Sequence, residues 1–137
     1  MSFLLDSNAC IAIINKKATV QFETSLNDAI RSGAGLGVPS IVVHELWFGV
    51  AKSGRVQVNR HNLIQFLQAP FEVLDFDEQD AETAGEIRAQ LARQGTPIGP
   101  YDVLIAGQAL ARGLTLVTAN TREFSRVNGL SLVDWTI

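Results

Sequence analysis

The sequence predicts an α/β fold in which a central, mainly parallel sheet of four to five strands is covered by helices. Short apolar, β-prone segments alternate with helical segments, as expected for parallel strands joined by crossover helices. The chain has 137 residues, the usual size of one domain, and we expect residues 1–137 to fold as a single domain. Since 47% of its residues are apolar, a core can form without a disulfide or a structural metal.

The first strand ends at an acid. Residues 3–5 form an apolar run that stops at Asp6, and the turn-forming Ser7 and Asn8 lead into a helix over residues 9–14. In open α/β sheets, ligands bind beyond the carboxyl ends of the strands, so we expect Asp6 to face such a crevice. A second interpretation is that Asp6 caps the helix that follows.

The remaining elements follow from periodicity and from start and stop signals. The segment from Pro39 to Ser40 predicts a turn with Ser40 as an N-cap, and Pro100 suits the first position of a helix. In the helix predicted over residues 78–94, the spacing of apolar residues predicts a buried stripe of Ala81, Ala84, Ile87 and Leu91. We predict further helices over residues 19–31, 41–51, 57–67, 78–94 and 101–112, and further strands over residues 36–38, 71–76, 115–118 and 130–133.

Four more oxygen-bearing side chains follow at comparable places. Glu45 lies in the first turns of the helix after the second strand, among apolar neighbours, and Gly49 leaves room beside it. Asp102 opens an almost wholly apolar helix, Asn120 follows the fourth strand, and Glu123 comes three residues later. In a parallel sheet all of these positions can lie along one edge.

Carboxylates gathered at one edge repel each other unless a cation lies among them. Oxygen ligands without histidine or cysteine suit Mg²⁺ or Mn²⁺, which would activate water and offset charge on a phosphodiester. We predict Asp6 and Asp102 as the main metal ligands, and Glu45 as a direct ligand, a water-mediated ligand or the group that orients the attacking water. The predicted catalytic set is Asp6, Glu45, Asp102, Asn120 and Glu123.

Single residues of this set also have structural explanations. Asp102 lies near a helix N-terminus, where a negative charge is stabilising by itself. Glu123 can pair with Arg122 or Arg126. Outside this set, Thr118 at the end of the fourth strand is expected to hydrogen-bond one of the site carboxylates.

Four stretches in this order resemble the PIN-domain ribonucleases, and among them the VapC toxins of bacterial toxin–antitoxin pairs. The stretches are residues 4–8, 42–49, 88–106 and 116–135. The resemblance implies a PIN-like three-layer α/β/α fold and Mg²⁺-dependent endoribonuclease activity, with Mn²⁺ as a substitute ion and with tRNA or another structured RNA as substrate. It also implies a homodimer that a VapB-type antitoxin neutralises, and promoter DNA bound only through that antitoxin.

The resemblance maps Asp6, Glu45 and Asp102 onto the three main acids of the family. The fourth acid is often an aspartate, where this chain has Asn120, so either Asn120 or Glu123 supplies the last oxygen.

Three other features bear on binding. Lys52, Arg55 and Arg60 form a basic run that we expect to contact RNA phosphates, with an ordinary solvated turn as the alternative. Phe48 fits a core position best, although a dimer contact or an antitoxin groove also suits it. We expect His44 to pack against neighbours rather than to act as a general base.

Composition and charge limit the alternatives. A net charge of −3 argues against indiscriminate nucleic-acid binding, and the single cysteine, Cys10, fits a reducing compartment. The N-terminus has no basic leader and no apolar run approaches the ~20 residues that span a bilayer, so we expect a cytoplasmic protein without a membrane partner.

Two other functional classes remain for comparison: a non-catalytic binding module, and a phosphate-handling fold that is either a phosphatase or a signalling receiver. A non-catalytic PIN-like module that binds partners or RNA is disfavoured by the complete set of acids. A phosphatase would carry a second aspartate where this chain has Asn8, and a signalling receiver would carry a lysine within residues 118–120.

Overall fold

A five-stranded parallel sheet forms the centre of the computed structural model, which describes residues 2–68 and 70–137. The strand order is β3-β2-β1-β4-β5, and every neighbouring pair is parallel. The strands are β1 (Phe3–Leu5), β2 (Leu36–Pro39), β3 (Phe71–Leu74), β4 (Thr115–Val117) and β5 (Leu132–Val133).

Helices connect these strands and confirm the predicted α/β/α fold. Every helix and strand predicted from the sequence occurs, and the ends differ by two residues or fewer. No helix within the described residues is long and apolar enough to cross a membrane. The helices are α1 (Ser7–Ile14), α2 (Val20–Arg31), α3 (Ser40–Ala51), α4 (Val56–Phe66), α5 (Glu78–Arg93), α6 (Pro100–Arg112) and α7 (Thr121–Phe124).

Strand β1 lies at the middle of the sheet. Leu4 pairs in register with Gly37 of β2 on one side and with Leu116 of β4 on the other, and Leu4 and Leu5 are fully buried. The chain adds β2 and β3 on one side of β1, then β4 and β5 on the opposite side. The order therefore reverses between β1 and β4, and an open parallel sheet binds ligands at the carboxyl edge of such a point.

The C-terminal segment is anchored beside β1 by an aromatic residue. Trp135 is buried and packs edge-to-face against Phe3 and Phe22, with ring centroids 5.1 Å and 5.5 Å away. This packing places the end of β5, and the acid Asp134 that follows it, next to the carboxyl edge of the sheet.

The predicted N-cap role of Ser40 is wrong. Helix α3 begins at Ser40 itself, Pro39 occupies the N-cap position, and no side-chain hydrogen bond caps the helix. The hydroxyl of Ser40 instead accepts a hydrogen bond from the backbone N–H of Phe76, at 3.1 Å. It thereby ties the start of α3 to the chain that leaves β3.

The predicted buried stripe of α5 is partly wrong. Ala81 is exposed, whereas Asp80 is 1% exposed and pairs with Arg112 of α6, with Oδ2 and Nη2 2.9 Å apart. Helices α5 and α6 also approach closely, because a Cβ added to Gly107 would lie 2.6 Å from the Cβ of Ala84. These contacts hold α6 in place, and the N-terminal turn of α6 carries one of the predicted site residues.

Candidate active site

Asp6 directly follows β1 and is 5% exposed. Its Oδ1 accepts a hydrogen bond from the backbone N–H of Ala9 at 2.9 Å, which confirms that it caps α1. The Thr118 hydroxyl also donates to this carboxylate, as the sequence predicts. Burial raises the pKa of Asp6 above its ordinary value despite these two hydrogen bonds, and the charge of Asp134 raises it further.

Glu45 lies in the second turn of α3 and faces the same region. Its Oε1 is buried and finds no hydrogen-bond partner within the described residues. Burial raises the pKa of Glu45, and the negative charges of Asp102 and Asp6 add to this effect, while His44 lowers it. A buried carboxylate oxygen without a donor is energetically costly, so it is suited to an external cation or proton.

Asp102 lies in the first turn of α6, two residues after Pro100. Burial raises the pKa of Asp102, and the charges of Glu123 and Asp6 raise it further. Gly99 leaves space for the carboxylate, because a Cβ at this position would lie 3.1 Å from Asp102 Oδ2. The glycine before the helix therefore allows the carboxylate to turn back towards the site.

Asn120 and Glu123 meet at the start of α7. The Asn120 side-chain amide donates to Glu123 Oε2 at 3.0 Å, and the Asn120 backbone N–H donates to Thr118 Oγ1 at 2.9 Å. The alternative pairing of Glu123 with Arg122 or Arg126 is not seen in the described part of the chain. Arg126 instead donates to the carbonyl of Pro97, at 3.1 Å.

Four predicted acids thus form one electrostatically connected group. Asp6 raises the pKa of both Glu45 and Asp102, Asp102 raises that of Glu45, and Glu123 raises that of Asp102. Asn120 belongs to the same group through its hydrogen bond to Glu123. All five predicted residues therefore lie at the carboxyl edge of the sheet.

The group fits a hydrated divalent ion better than a dry cage. Within residues 2–68 and 70–137, no three His, Cys, Asp or Glu side chains are positioned to hold one ion together in the side-chain conformations seen. Mg²⁺ usually keeps several of its waters and takes only one or two protein carboxylates. The unpartnered Oε1 of Glu45 and the oxygen-only donor set meet that requirement.

Asp134 is a further acid near the site and is not among the predicted site residues. It follows β5, its charge acts on Asp6, and its Oδ1 accepts hydrogen bonds from the backbone N–H and the hydroxyl of Thr136, at 2.8 Å and 2.6 Å. The signal that identifies Asp6, an acid directly after a strand, also applies to Asp134.

A groove of about 810 Å³ opens beside Glu45, and Ile11, Leu63 and Phe48 form part of its wall. Phe48 is 60% exposed, so the core position predicted for it is wrong. Gly49 also lines the groove, and a Cβ there would meet no atom within 4 Å. This glycine therefore leaves open space beside Glu45, as its position in the sequence predicts.

Comparison with known proteins identifies similar chains. The family profile described as "PIN domain" matches residues 3–130. The chain is 44% identical to the tRNA(fMet)-specific endonuclease VapC of Shigella flexneri, over 99% of each protein. It is 36% identical to Ribonuclease VapC2 of Rickettsia felis, over 98% of each.

Two solved structures share the fold across almost the whole chain. VapBC2 from Rickettsia felis, bound to a DNA fragment from its promoter, gives a TM-score of 0.91 at 36% identity, over 98% of this chain and 99% of the other. DNA-bound VapBC from Salmonella typhimurium gives a TM-score of 0.87 at 41% identity, over 98% of each chain.

Proposed function

Because this chain belongs to the PIN-domain family and is a ribonuclease of its VapC group, we propose that its acids hold Mg²⁺ and hydrolyse RNA phosphodiester bonds. The observation that carries the proposal is the buried, unpartnered Oε1 of Glu45 within a group of acids that raise each other's pKa. Nucleases of this kind are in general dependent on a divalent metal ion. Mn²⁺, which takes the same oxygen ligands, would substitute.

Each residue has a role in this proposal. Asp6 and Asp102 bind the ion directly, and Glu45 binds it directly or through water. The bound ion supplies a water of lowered pKa and offsets charge on the phosphoryl oxygens. Thr118 and the Ala9 N–H hold the carboxylate of Asp6 in one orientation by hydrogen bonding.

Asn120 and Glu123 complete the proposed site from the β4 side. Their mutual hydrogen bond keeps the carboxylate of Glu123 near Asp102, where its charge favours cation binding. Outer carboxylates and amides of this kind orient the direct ligands of metal sites.

The relatives suggest the biological setting. Both solved neighbours are VapBC complexes with DNA, so we propose that a VapB-type antitoxin neutralises this chain and carries the promoter-DNA contact. The relative from Shigella flexneri is named a tRNA(fMet)-specific endonuclease, so we propose tRNA or another structured RNA as substrate. We further propose that residues 1–137 act as one domain, as a homodimer in the cytoplasm.

The direct test is cleavage of total RNA by the purified protein in Mg²⁺, with and without EDTA. We expect Asp6→Asn and Asp102→Asn each to lower the cleavage rate by at least about 100-fold, because each removes a ligand charge. Asp28→Asn is the control, since Asp28 is an exposed acid of α2 paired with Arg31. Cleavage that survives both site substitutions would refute the assigned site. RNA binding without cleavage in either Mg²⁺ or Mn²⁺ would instead favour a non-catalytic module.

A further inference from the structure

Two aromatic rings stand directly beside the acids. His44 precedes Glu45 in α3, and Tyr101 precedes Asp102 in α6. The two rings meet edge-to-face, with centroids 5.9 Å apart and planes at 68°, and both line the groove. The pair therefore bridges the two helices in the wall of the groove, next to the site of the proposed chemistry.

The exposure of these rings indicates a role other than packing. Tyr101 is 44% exposed and His44 is also exposed, whereas rings that stabilise a core are buried. The edge-to-face contact by itself covers at most one face of each ring. The exposed Tyr101 ring thus offers a flat, partly apolar surface next to Asp102, and His44, which contacts that ring, adjoins Glu45.

A cation lies further along the same groove. Lys52 lines it, and the Lys52 ammonium lies 5.0 Å from the centroid of the exposed Phe48 ring. In a chain of net charge −3, this groove thus joins acids, aromatic rings and a positive charge. Surfaces of this kind bind single-stranded nucleic acids, because the phosphates pair with cations and the bases stack on aromatic rings.

We propose that the Tyr101 ring, which His44 contacts edge-to-face, stacks an unpaired nucleobase of the RNA beside the scissile phosphate, while Lys52 pairs with a neighbouring backbone phosphate. The proposal rests on the ribonuclease function argued above. It adds which parts of the RNA bind in the groove, namely an unpaired base and a backbone phosphate. Stacking does not read base edges, so the pair selects unpaired nucleotides in loops rather than one particular base. An RNA is favoured over a protein segment because both rings adjoin residues assigned to phosphodiester chemistry.

The first test separates substrate binding from chemistry. Tyr101→Leu keeps an apolar side chain but removes the π face, and we expect KM for a short single-stranded oligoribonucleotide to rise about 10-fold with little change in kcat. Tyr101→Phe keeps the ring and should behave as wild type. His44→Leu is a second variant of the pair, and His61→Leu, an exposed histidine of α4, is its control.

The second test reads stacking directly, without cleavage. An oligoribonucleotide carrying 2-aminopurine at successive positions is bound to the Asp6→Asn protein in Mg²⁺. We expect quenching at one position of the bound oligoribonucleotide, and we expect Tyr101→Leu to abolish that quenching. Thermal melting verifies that each variant is folded.

The outcomes distinguish this inference from the proposed function. If the wild-type protein cuts no RNA, the proposed function fails. If it cuts RNA but Tyr101→Leu leaves KM and quenching unchanged, stacking is refuted. Equal losses in Tyr101→Phe and Tyr101→Leu would assign the effect to the hydroxyl. Loss of antitoxin inhibition alone would assign the rings to a protein partner. Both an effect of the hydroxyl and an effect on the antitoxin alone would overturn the inference.

Discussion

The side-chain amide of Asn120 donates a hydrogen bond to Oε2 of Glu123, 3.0 Å away. The two residues therefore form a hydrogen-bonded pair at the start of α7. Glu123 provides the negative charge, which raises the pKa of Asp102. Asn120 fixes the position of the Glu123 carboxylate by its hydrogen bond.

This division of roles predicts different effects on metal binding. We expect Glu123→Gln to raise the Mg²⁺ concentration for half-maximal cleavage by about 10- to 100-fold, because it removes the charge, and Asn120→Ala to raise it less. Mg²⁺ titrations of the cleavage rate measure both, with Glu82→Gln, an exposed position of α5, as the control. A larger effect of Asn120→Ala than of Glu123→Gln would contradict the assignment.

The raised pKa values of Asp6, Glu45 and Asp102 predict a pH dependence of stability. When a carboxyl group has a higher pKa in the folded state, the folded protein binds more protons than the unfolded chain. The stability contributed by these groups is fully present below about pH 4 and is lost as the pH rises through their folded pKa values.

Without divalent ions, we therefore expect Asp6→Asn to raise Tm at pH 7 by a few degrees and to have little effect at pH 4. Asparagine also caps helices well, so the hydrogen bond to Ala9 can be retained. Thermal melts in EDTA between pH 4 and pH 8 test this, and added Mg²⁺ should then stabilise the wild type more than the variant. A variant that melts lower at pH 7 in EDTA would show that charge repulsion is not the dominant effect.

The positions of the acids could be predicted because their signals are local. An apolar run, a carboxylate and a turn residue mark Asp6 within a few residues of sequence. Parallel connections then place the ends of β1 and β4 at the same edge of the sheet, so the grouping of Asp6 with Asn120 follows from topology. The same reasoning, applied to the last strand, identifies Asp134.

The features that sequence reasoning missed depend on distant partners. Asp80 is buried in place of Ala81 because Arg112, 32 positions later, supplies its counter-charge. Ser40 does not cap its helix because the N–H of Phe76, 36 positions later, uses its hydroxyl. The exposure of Phe48 could not be predicted, because hydrophobicity alone does not distinguish a core position from the wall of a groove.

Gly99 offers a test of the geometry of Asp102. An alanine fits the Gly99 backbone, whose φ is −55°, but its Cβ would lie 3.1 Å from Asp102 Oδ2. We expect Gly99→Ala to shift the carboxylate by a few tenths of an ångström and to lower the cleavage rate about 10-fold, with stability changed by less than about 0.5 kcal/mol. Gly54→Ala, at an open loop position, is the control for cleavage rate and urea unfolding. Unchanged cleavage would show that this carboxylate position is not needed.

Gly49 and Gly85 form a matched pair of helical glycines. A Cβ meets no atom within 4 Å at either position, but only Gly49 lines the groove beside Glu45. Because alanine restricts the unfolded chain more than glycine does, each Gly→Ala change should stabilise the protein by about 0.5–1 kcal/mol. We expect only Gly49→Ala to slow cleavage, because its methyl group projects into the groove. Melting curves and single-turnover rates compare the two, and equal cleavage rates would exclude the groove from substrate binding.

The buried Asp80 depends on Arg112 for its charge. Burial by itself raises the pKa of Asp80, but hydrogen bonds from Arg112 and from the Asp77 N–H lower it below the ordinary value. The Gln108 amide also donates to it, at 3.4 Å. Its contribution to stability is therefore present above about pH 4 and is lost as the pH falls through the lowered folded pKa.

Arg112→Met leaves this buried carboxylate without its counter-charge, and we expect unfolding free energy to fall by about 3 kcal/mol at pH 7. The double variant Asp80→Asn/Arg112→Met should recover part of that loss, because no charge then remains buried. Arg31→Met, which breaks the exposed pair with Asp28, is the matched control and should cost less than about 1 kcal/mol. Urea unfolding measures all three. If Arg112→Met costs no more than Arg31→Met, water reaches Asp80 and the pair does not hold α6 against α5.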